Sequence, residues 1–128
     1  MFIFVFGVGF GTELNYLASL IPQVKIAWSD TDNYKHTNFA SYPRFAVDAV
    51  HDALRLGKLQ GKISEAEISS GVALAKMAFL GESEEGDVLT VKVWCPESLQ
   101  RTVVCSMEKG GQVVNQVTLT FHSVASEL

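Results

Sequence analysis

The sequence predicts an α+β domain in which one curved antiparallel sheet packs around a single apolar helix. Three observations predict this class. An apolar stretch with helical spacing lies near residue 50, strand-like alternation fills the C-terminal half, and short turn sequences separate the alternating segments. With 128 residues, of which 48% are apolar, the chain can bury one core but is too short for two ordinary domains.

The helix is predicted over residues 42–56, where apolar side chains cover a wide face and indicate burial on most sides. Ser41 is the predicted N-cap, and Pro43 suits the first turn because no N–H is needed there. Gly57 and Gly61 are predicted to end the helix, since glycine is the commonest residue after a helix C-terminus.

Strands are predicted on both sides of this helix. A short buried strand over residues 24–28 precedes it and stops at a polar loop over residues 29–38. After it, a meander of antiparallel strands is predicted over residues 72–80, 88–94, 101–107 and 113–122. Gly110 and Gly111 signal a hairpin between the last two strands.

Composition excludes several classes of function. The net charge is -4 and no basic cluster exceeds two neighbours, so no nucleic-acid partner is predicted. The apolar run over residues 1–10 is interrupted by glycines and too short for a membrane span. His and Cys lack metal-ligand spacing, so no metal or other cofactor is expected, and Cys95 and Cys105 are interpreted as buried free thiols. We expect an intracellular, cytoplasmic location.

One polar segment carries a candidate for chemistry. Between the first strand and the helix the sequence places Asp30, Asp32, His36, Asn38 and Tyr42. A carboxylate just before a helix N-terminus can attack a carbonyl or activate water, and the terminal N–H groups can stabilise negative charge on the carbonyl oxygen. The residue types alone also allow a purely structural interpretation, because Asp-rich loops before helices commonly form solvated turns and caps.

The spacing of these five residues resembles the signature of the hot-dog thioesterases, in the branch that contains 4-hydroxybenzoyl-CoA thioesterase and the plant acyl-carrier-protein thioesterases. That signature is approximately Asp-x-Asp-x-x-x-His-x-Asn-x-x-x-Tyr followed by an apolar helix, and every position matches. Residues 86–91 also look like the Gly-Asp-x-Leu strand opening of the family. The resemblance implies a hot-dog thioesterase domain over residues 23–128, with residues 1–22 as an N-terminal extension of unclear role.

The resemblance also implies an activity and the residues that perform it. The implied reaction is hydrolysis of an acyl-CoA or acyl-carrier-protein thioester to a free acid and a thiol. Asp32 is implied as general base or nucleophile, and the helix N-terminus as the site for the carbonyl oxygen. His36 matches the catalytic histidine of the plant branch, but Tyr34 occupies the position of its asparagine, which leaves a single-carboxylate mechanism as the simpler one. Asp30 is interpreted as structural.

Substrate contacts and assembly follow from the same segment. Asn38, Phe39, Tyr42 and Phe45 are the predicted substrate-binding residues, although the three aromatic side chains could equally fill the core. Basic side chains could meet CoA phosphates or remain solvated; they are Lys35, Arg44 and Lys58. One helix cannot cover the whole predicted sheet, and hot-dog proteins usually pair their sheets, so a homodimer or homotetramer is predicted.

Two alternatives remain open at this level. One is a hot-dog protein that binds acyl-CoA without hydrolysing it or acts like a dehydratase, for which His36 near Asp32 would be suitable. The other is a dinucleotide-binding fragment, with strands at residues 2–6 and 24–28, a helix at 12–20, and Asp30 as the ribose ligand. Its glycine pattern lacks the third glycine of the fingerprint, which makes this match weak.

Overall fold

The computed structural model describes residues 2–6 and 23–124. Its sheet has six strands in the order β1-β3-β6-β5-β4-β2. All described strand pairs are antiparallel except β1 with β3. The strands are β1 (Phe2–Phe6), β2 (Gln23–Lys25), β3 (Val72–Phe79), β4 (Val88–Trp94), β5 (Thr102–Lys109) and β6 (Gln112–Phe121). The predicted α+β hot-dog architecture is confirmed, with a sixth strand beside the five expected.

The sixth strand comes from the predicted N-terminal extension. β1 pairs in parallel with β3 at one edge of the sheet, whereas β2 lies at the opposite edge beside β4. A dinucleotide-binding unit would instead place its first two strands next to each other as parallel neighbours. The dinucleotide alternative is therefore wrong. The helix that it required at residues 12–20 lies outside the described residues.

The predicted hairpin joins β5 to β6 and is confirmed. Lys109 pairs with Gln112, which leaves a loop of only Gly110 (φ 57°) and Gly111 (φ 81°). Positive φ at both central positions is what a type I′ turn requires, and this turn matches the twist of the strands that it joins. Both strands therefore extend further towards the turn than the sequence predicted.

The long helix α1 (Ser41–Arg55) packs across the inner face of β4, β5 and β6. Its buried residues recur at helical spacing, which explains why one face faces the sheet: Tyr42, Pro43, Phe45, Ala46, Ala49, Val50 and Ala53. The predicted N-cap is wrong, because Ala40 caps the helix. Ser41 is already helical, and its hydroxyl donates to the carbonyl oxygen of Asp30 at 3.4 Å.

The first predicted strand is shorter than expected. After β2 the chain turns through a 3-10 segment, Trp28–Asp30, and the Trp28 side chain is 76% exposed instead of buried. The buried carboxylate of Asp30 accepts the N–H of Ala27 at 2.9 Å and pairs with Arg44, which holds this turn against α1. The turn directs the chain into the polar loop that precedes the helix.

A second, short helix was not predicted. The helix α2 (Glu65–Ser69) lies between α1 and β3, and a capping box of Ser64 and Glu67 begins it. Neither α2 nor α1 is long and apolar enough to cross a bilayer, and the same holds for any other helix in the described part of the chain.

Candidate active site

The loop before α1 is folded back on itself by its own backbone. Thr31 and Thr37 form an isolated antiparallel bridge, in which the N–H of Asp32 donates to the carbonyl oxygen of His36 at 2.9 Å. Lys35 adopts a positive φ of 67° at the tip of the turn. This closure fixes the backbone on both sides of Asp32, so its side chain is presented from a defined position.

The Asp32 carboxylate is exposed and only half engaged. Its Oδ1 accepts the N–H groups of Tyr34 at 2.9 Å and His36 at 3.3 Å, which orients the group. Its Oδ2 has no partner among the residues that the structure describes. Asp30, in contrast, is buried, so the two aspartate side chains lie in different environments. Two residues apart on an extended strand, they would instead have faced the same side. Asp32 is therefore the carboxylate available for chemistry.

Asp32 stands between two cavities. The first, called the site cavity here, has a volume of about 330 Å³. Its lining residues come from the loop, from α1 and from the chain around the end of β3: Asp32, Tyr34, His36, Thr37, Phe39, Tyr42, Phe79, Gly81, Glu82 and Ser83. The second has a volume of about 440 Å³ and lies on the outer side of the loop, where Lys35 shares it with Glu84 and Glu85. These two carboxylates offset the attraction of Lys35 for a phosphate.

The first turn of α1 has little hydrogen-bonding capacity left for a ligand. The N–H groups of Ala40 and Ser41 donate to the side chain and the carbonyl oxygen of Asn38, at 3.0 and 2.9 Å. The N–H of Tyr42 donates to the carbonyl oxygen three residues earlier at 3.3 Å, and Pro43 has no N–H. The helix terminus as such is therefore not an open site for a carbonyl oxygen.

The available donor lies just before the helix. The N–H of Phe39 has no acceptor within residues 23–124 as described, and Phe39 lines the site cavity with Asp32. An unengaged backbone N–H beside a carboxylate is what a thioester carbonyl needs, because it can stabilise the charge that develops on the oxygen. Of the backbone N–H groups around the helix N-terminus, that of Phe39 is therefore the one without an acceptor among the described residues.

His36 lies at the same cavity but pairs with a different carboxylate. Its Nε2 is 3.2 Å from Oε2 of Glu82, in the loop between β3 and β4, and its side chain is 43% exposed. In the described structure the His36 ring makes no hydrogen bond with Asp32; the two residues are connected only through backbone groups of His36, its N–H and its carbonyl oxygen. The loop thus brings the two predicted catalytic residues together without forming a direct dyad.

Ser83 connects the β3–β4 loop to the loop before α1. Its hydroxyl lies 2.7 Å from both Thr37 Oγ1 and the Tyr42 hydroxyl, and its carbonyl oxygen accepts the Thr37 N–H at 2.7 Å. Thr37 Oγ1 also donates to that carbonyl at 3.0 Å, so the chain of hydroxyl groups runs from Tyr42 through Ser83 to Thr37. All three residues are buried, which makes this network the main polar support of the cavity.

The same loop is also held by the neighbouring strand β5. The Lys109 ammonium lies 2.9 Å from the Asp87 carboxylate and, together with the Glu84 N–H, lowers the pKa of that carboxyl. Asp87 therefore remains charged at lower pH than an isolated aspartate. This ion pair ties the β3–β4 loop to the β5–β6 hairpin.

The predicted substrate-binding residues separate into two groups. Phe39 is 52% exposed and Tyr42 is buried, and both line the site cavity. Phe45 is buried in the core behind Tyr42, and the centroids of the two rings lie 6.0 Å apart. The Asn38 side chain accepts a hydrogen bond from the N–H of Ala40. Direct contact with a substrate is thus available to Phe39 and Tyr42, whereas Phe45 and Asn38 support the surrounding structure.

Six residues that line the cavity are not among the site residues predicted from the sequence: Tyr34, Thr37, Phe79, Gly81, Glu82 and Ser83. Nothing in the composition of residues 82–85 distinguishes Ser83 from a solvated turn residue. The Gly-Asp pair after it was the one local signal that this turn belongs to the family pattern.

Other reactive groups do not contribute to this site. Both cysteines are free; burial raises the pKa of the Cys95 thiol to about 11, and full burial also raises that of Cys105, so neither forms a thiolate nucleophile near neutral pH. Lys58 follows the C-terminus of α1, roughly 20 Å from the loop, given a rise of 1.5 Å per residue. No group of three His, Cys, Asp or Glu in the described ranges is arranged to hold a metal ion.

Comparison with protein families gives a match over most of this structure. The model of the thioesterase-like superfamily matches residues 26–127, which include the loop, α1 and strands β3 to β6. A comparison with curated protein sequences gives no match.

Comparison with solved structures gives the same fold at low sequence identity. A hypothetical protein from Aquifex aeolicus has a TM-score of 0.67 and 18% identity, with 84% of this chain and 99% of that chain covered. A 1,4-dihydroxy-2-naphthoyl-CoA thioesterase from Synechocystis has a TM-score of 0.60 and 16% identity, over 78% and 77% of the two chains. An acyl-ACP thioesterase from Bacteroides thetaiotaomicron has a TM-score of 0.57 and 22% identity, over 79% of this chain and 36% of that one.

Proposed function

Because the chain belongs to the thioesterase-like superfamily, we propose that it hydrolyses an acyl thioester, with Asp32 as general base or nucleophile. The proposed substrate is an acyl-CoA. One observation carries this assignment: Asp32 and Phe39 line the same cavity, and within residues 23–124 one carboxylate oxygen of Asp32 and the N–H of Phe39 have no hydrogen-bond partner. The first group can add to a carbonyl carbon or deprotonate water, and the second can bind the carbonyl oxygen.

Two routes are open to a single carboxylate. Asp32 Oδ2 can attack the carbonyl carbon and expel the thiolate, forming a mixed anhydride that water then cleaves into the acid and free Asp32. Alternatively, the carboxylate takes a proton from water while the hydroxide adds to the carbonyl, and the proton leaves with the thiolate. In both routes the N–H of Phe39 donates to the oxyanion, and the thiolate is a good leaving group that needs little assistance.

The acyl group is proposed to lie along the aromatic side of the site cavity. The Phe79 ring packs edge-on against those of Phe39 and Tyr42, with centroids 6.5 and 5.9 Å apart. These rings offer an apolar surface next to Asp32. The outer cavity, with Lys35, is then the exit for the thiol portion, whether CoA or a carrier-protein pantetheine.

A second candidate function rests on His36. Its ion pair with Glu82 is a His–carboxylate pair at the cavity, which suits proton transfer to and from the carbon atoms of an enoyl thioester. In that case the protein would act like a dehydratase, and His36 instead of Asp32 would be essential.

The experiment is a panel of acyl-CoA substrates, aliphatic and aromatic, assayed for release of free thiol, with an enoyl-CoA assayed in parallel for hydration. Thiol release without hydration is the expected result. Hydration without thiol release would favour the second candidate, and neither activity on CoA or acyl-carrier-protein substrates would contradict both.

A further inference from the structure

Asn115 in β6 has a buried amide without a hydrogen-bond partner. Its side chain is 0% exposed, and neither Oδ1 nor Nδ2 bonds to any group in the described chain. An amide offers two donors and an acceptor with two lone pairs, and buried polar groups of this kind are nearly always satisfied. An apolar residue would fill the same place more favourably, so the amide at this position requires an explanation.

The sheet register places this amide on the helix-facing side. Asn115 is directly opposite Phe79 in β3 and Met107 in β5, and directly paired residues point to the same face of a sheet. Two residues further along the same face, Val117 is opposite Cys105, whose Sγ lies 3.7 Å from a carbonyl oxygen of α1. The paired neighbours are thus apolar side chains, which explains why no protein group satisfies the amide.

Phe79 separates Asn115 from the site cavity. Its ring lines the cavity, and the Cβ atoms of directly paired residues lie about 5 Å apart. Asp32 and Phe79 line the same cavity, so an acyl group with its carbonyl at Asp32 extends along Phe79. The amide is therefore a direct neighbour of a side chain that forms the cavity wall.

We propose that Asn115 is a specificity-determining residue that binds a hydroxyl or oxo group at the far end of the acyl group once the Phe79 ring turns aside. This inference rests on the proposed thioester hydrolysis. A hydroxyl can donate to Oδ1 and accept from Nδ2, whereas an unsubstituted acyl group leaves the buried amide unsatisfied. A site built to hydrogen-bond a substrate hydroxyl rejects the analogue that lacks it far more strongly than an apolar pocket rejects an added hydroxyl.

The test compares kcat/KM within matched pairs, hexanoyl-CoA with 6-hydroxyhexanoyl-CoA and benzoyl-CoA with 4-hydroxybenzoyl-CoA. The wild type is expected to prefer the hydroxylated member of at least one pair by about tenfold or more. Asn115→Leu, similar in size but apolar, should bring that ratio close to one and retain or raise the Tm. Met107→Leu, on the opposite neighbouring strand, is the control and should leave the ratio unchanged. Asn115→Ala provides the same comparison if the leucine variant does not fold.

Two results would overturn the inference while leaving thioester hydrolysis intact. The wild type could hydrolyse both members of each pair equally well, or the Asn115 variants could keep its preference. Either result would mean that the amide serves no substrate and is satisfied by a buried water. Failure to hydrolyse any thioester, in contrast, would contradict the proposed function itself, and the inference with it.

Discussion

At the scale of single residues, the three carboxylates around the site differ in the group that each one binds. Asp30 pairs with Arg44, and Glu82 pairs with His36, whereas one Asp32 carboxylate oxygen has no partner in the part of the chain that the structure describes. That His36 and Asp32 lie close together was predictable from the sequence, because they belong to one contiguous loop with a recognisable spacing. The pairing of His36 with Glu82 was not, because it depends on where the β3–β4 loop folds back.

His36 is expected to assist catalysis but not to be essential. His36→Ala should reduce kcat for thioester hydrolysis by about tenfold, less than the usual effect of about 10²–10⁴-fold for an acid–base group. Glu82→Ala should produce a similar loss, since it removes the partner that orients the ring. Steady-state kinetics on one acyl-CoA decide the matter: a loss in His36→Ala as large as in Asp32→Asn would instead make His36 part of the chemical step.

Ser83 and Tyr42 are expected to act as a unit. Ser83→Ala leaves the buried Tyr42 hydroxyl without its acceptor, which should cost about 1–3 kcal/mol of unfolding free energy. In the background of Tyr42→Phe the same change should cost less, because the orphaned hydroxyl is gone. Denaturant unfolding of the two single variants and the double variant measures the coupling. Strictly additive losses would show that the two hydroxyl groups do not interact.

At the scale of elements, α1 divides its aromatic residues between cavity and core. Its amphipathic spacing predicted the helix correctly, but the expected burial on most sides is wrong, because Arg44, Asp48 and His51 form an exposed face. The spacing could not distinguish Tyr42, which reaches the cavity, from Phe45, which lies behind it. Both are apolar rings on the buried face, and the distinction arises because Phe79 approaches from β3.

Phe45→Ala is expected to act on stability and not on specificity. A cavity left by a buried phenylalanine typically costs about 3–5 kcal/mol, and the rates on all acyl lengths should fall together if they change at all. Phe39→Ala is the matched comparison, because Phe39 is half exposed and lines the cavity. It should change the preference for acyl length with little loss of Tm. The reverse pattern, measured by thermal unfolding and a chain-length series, would place the acyl pocket on the other side of Tyr42.

At the scale of the whole molecule, large aromatic side chains beside the site remain uncovered. Trp28 is 76% exposed, Tyr34 81% and Phe39 52%, and all three flank the loop that carries Asp32. We expect a second copy of the chain to cover this surface in a homodimer or homotetramer. Sedimentation at micromolar concentration measures the assembly, and Tyr34→Ser should weaken it; a stable wild-type monomer would contradict the expectation.

The sequence predicted the order of helix and strands because each element has its own periodicity. It did not predict that β1 pairs in parallel at the edge of the sheet, since this pairing joins segments about seventy residues apart with no local signal. For the same reason, the sequence did not predict the positions of Phe79, Ser83 and Asn115 around the site cavity. Their roles depend on strand register, which is fixed by the packing of the whole sheet.

The central claim is that Asp32 performs the chemistry, and thiol release by Asp32→Asn tests it most directly. Asp52→Asn, which alters an exposed aspartate on α1 paired with Arg55, serves as the control for the loss of one charge. Both variants are first shown by circular dichroism to be folded, and the substrate is an acyl-CoA that the wild type hydrolyses. Asp32→Asn is then expected to lose about two or more orders of magnitude in kcat, while Asp52→Asn retains its activity. Near-wild-type thiol release by a well-folded Asp32→Asn would contradict it.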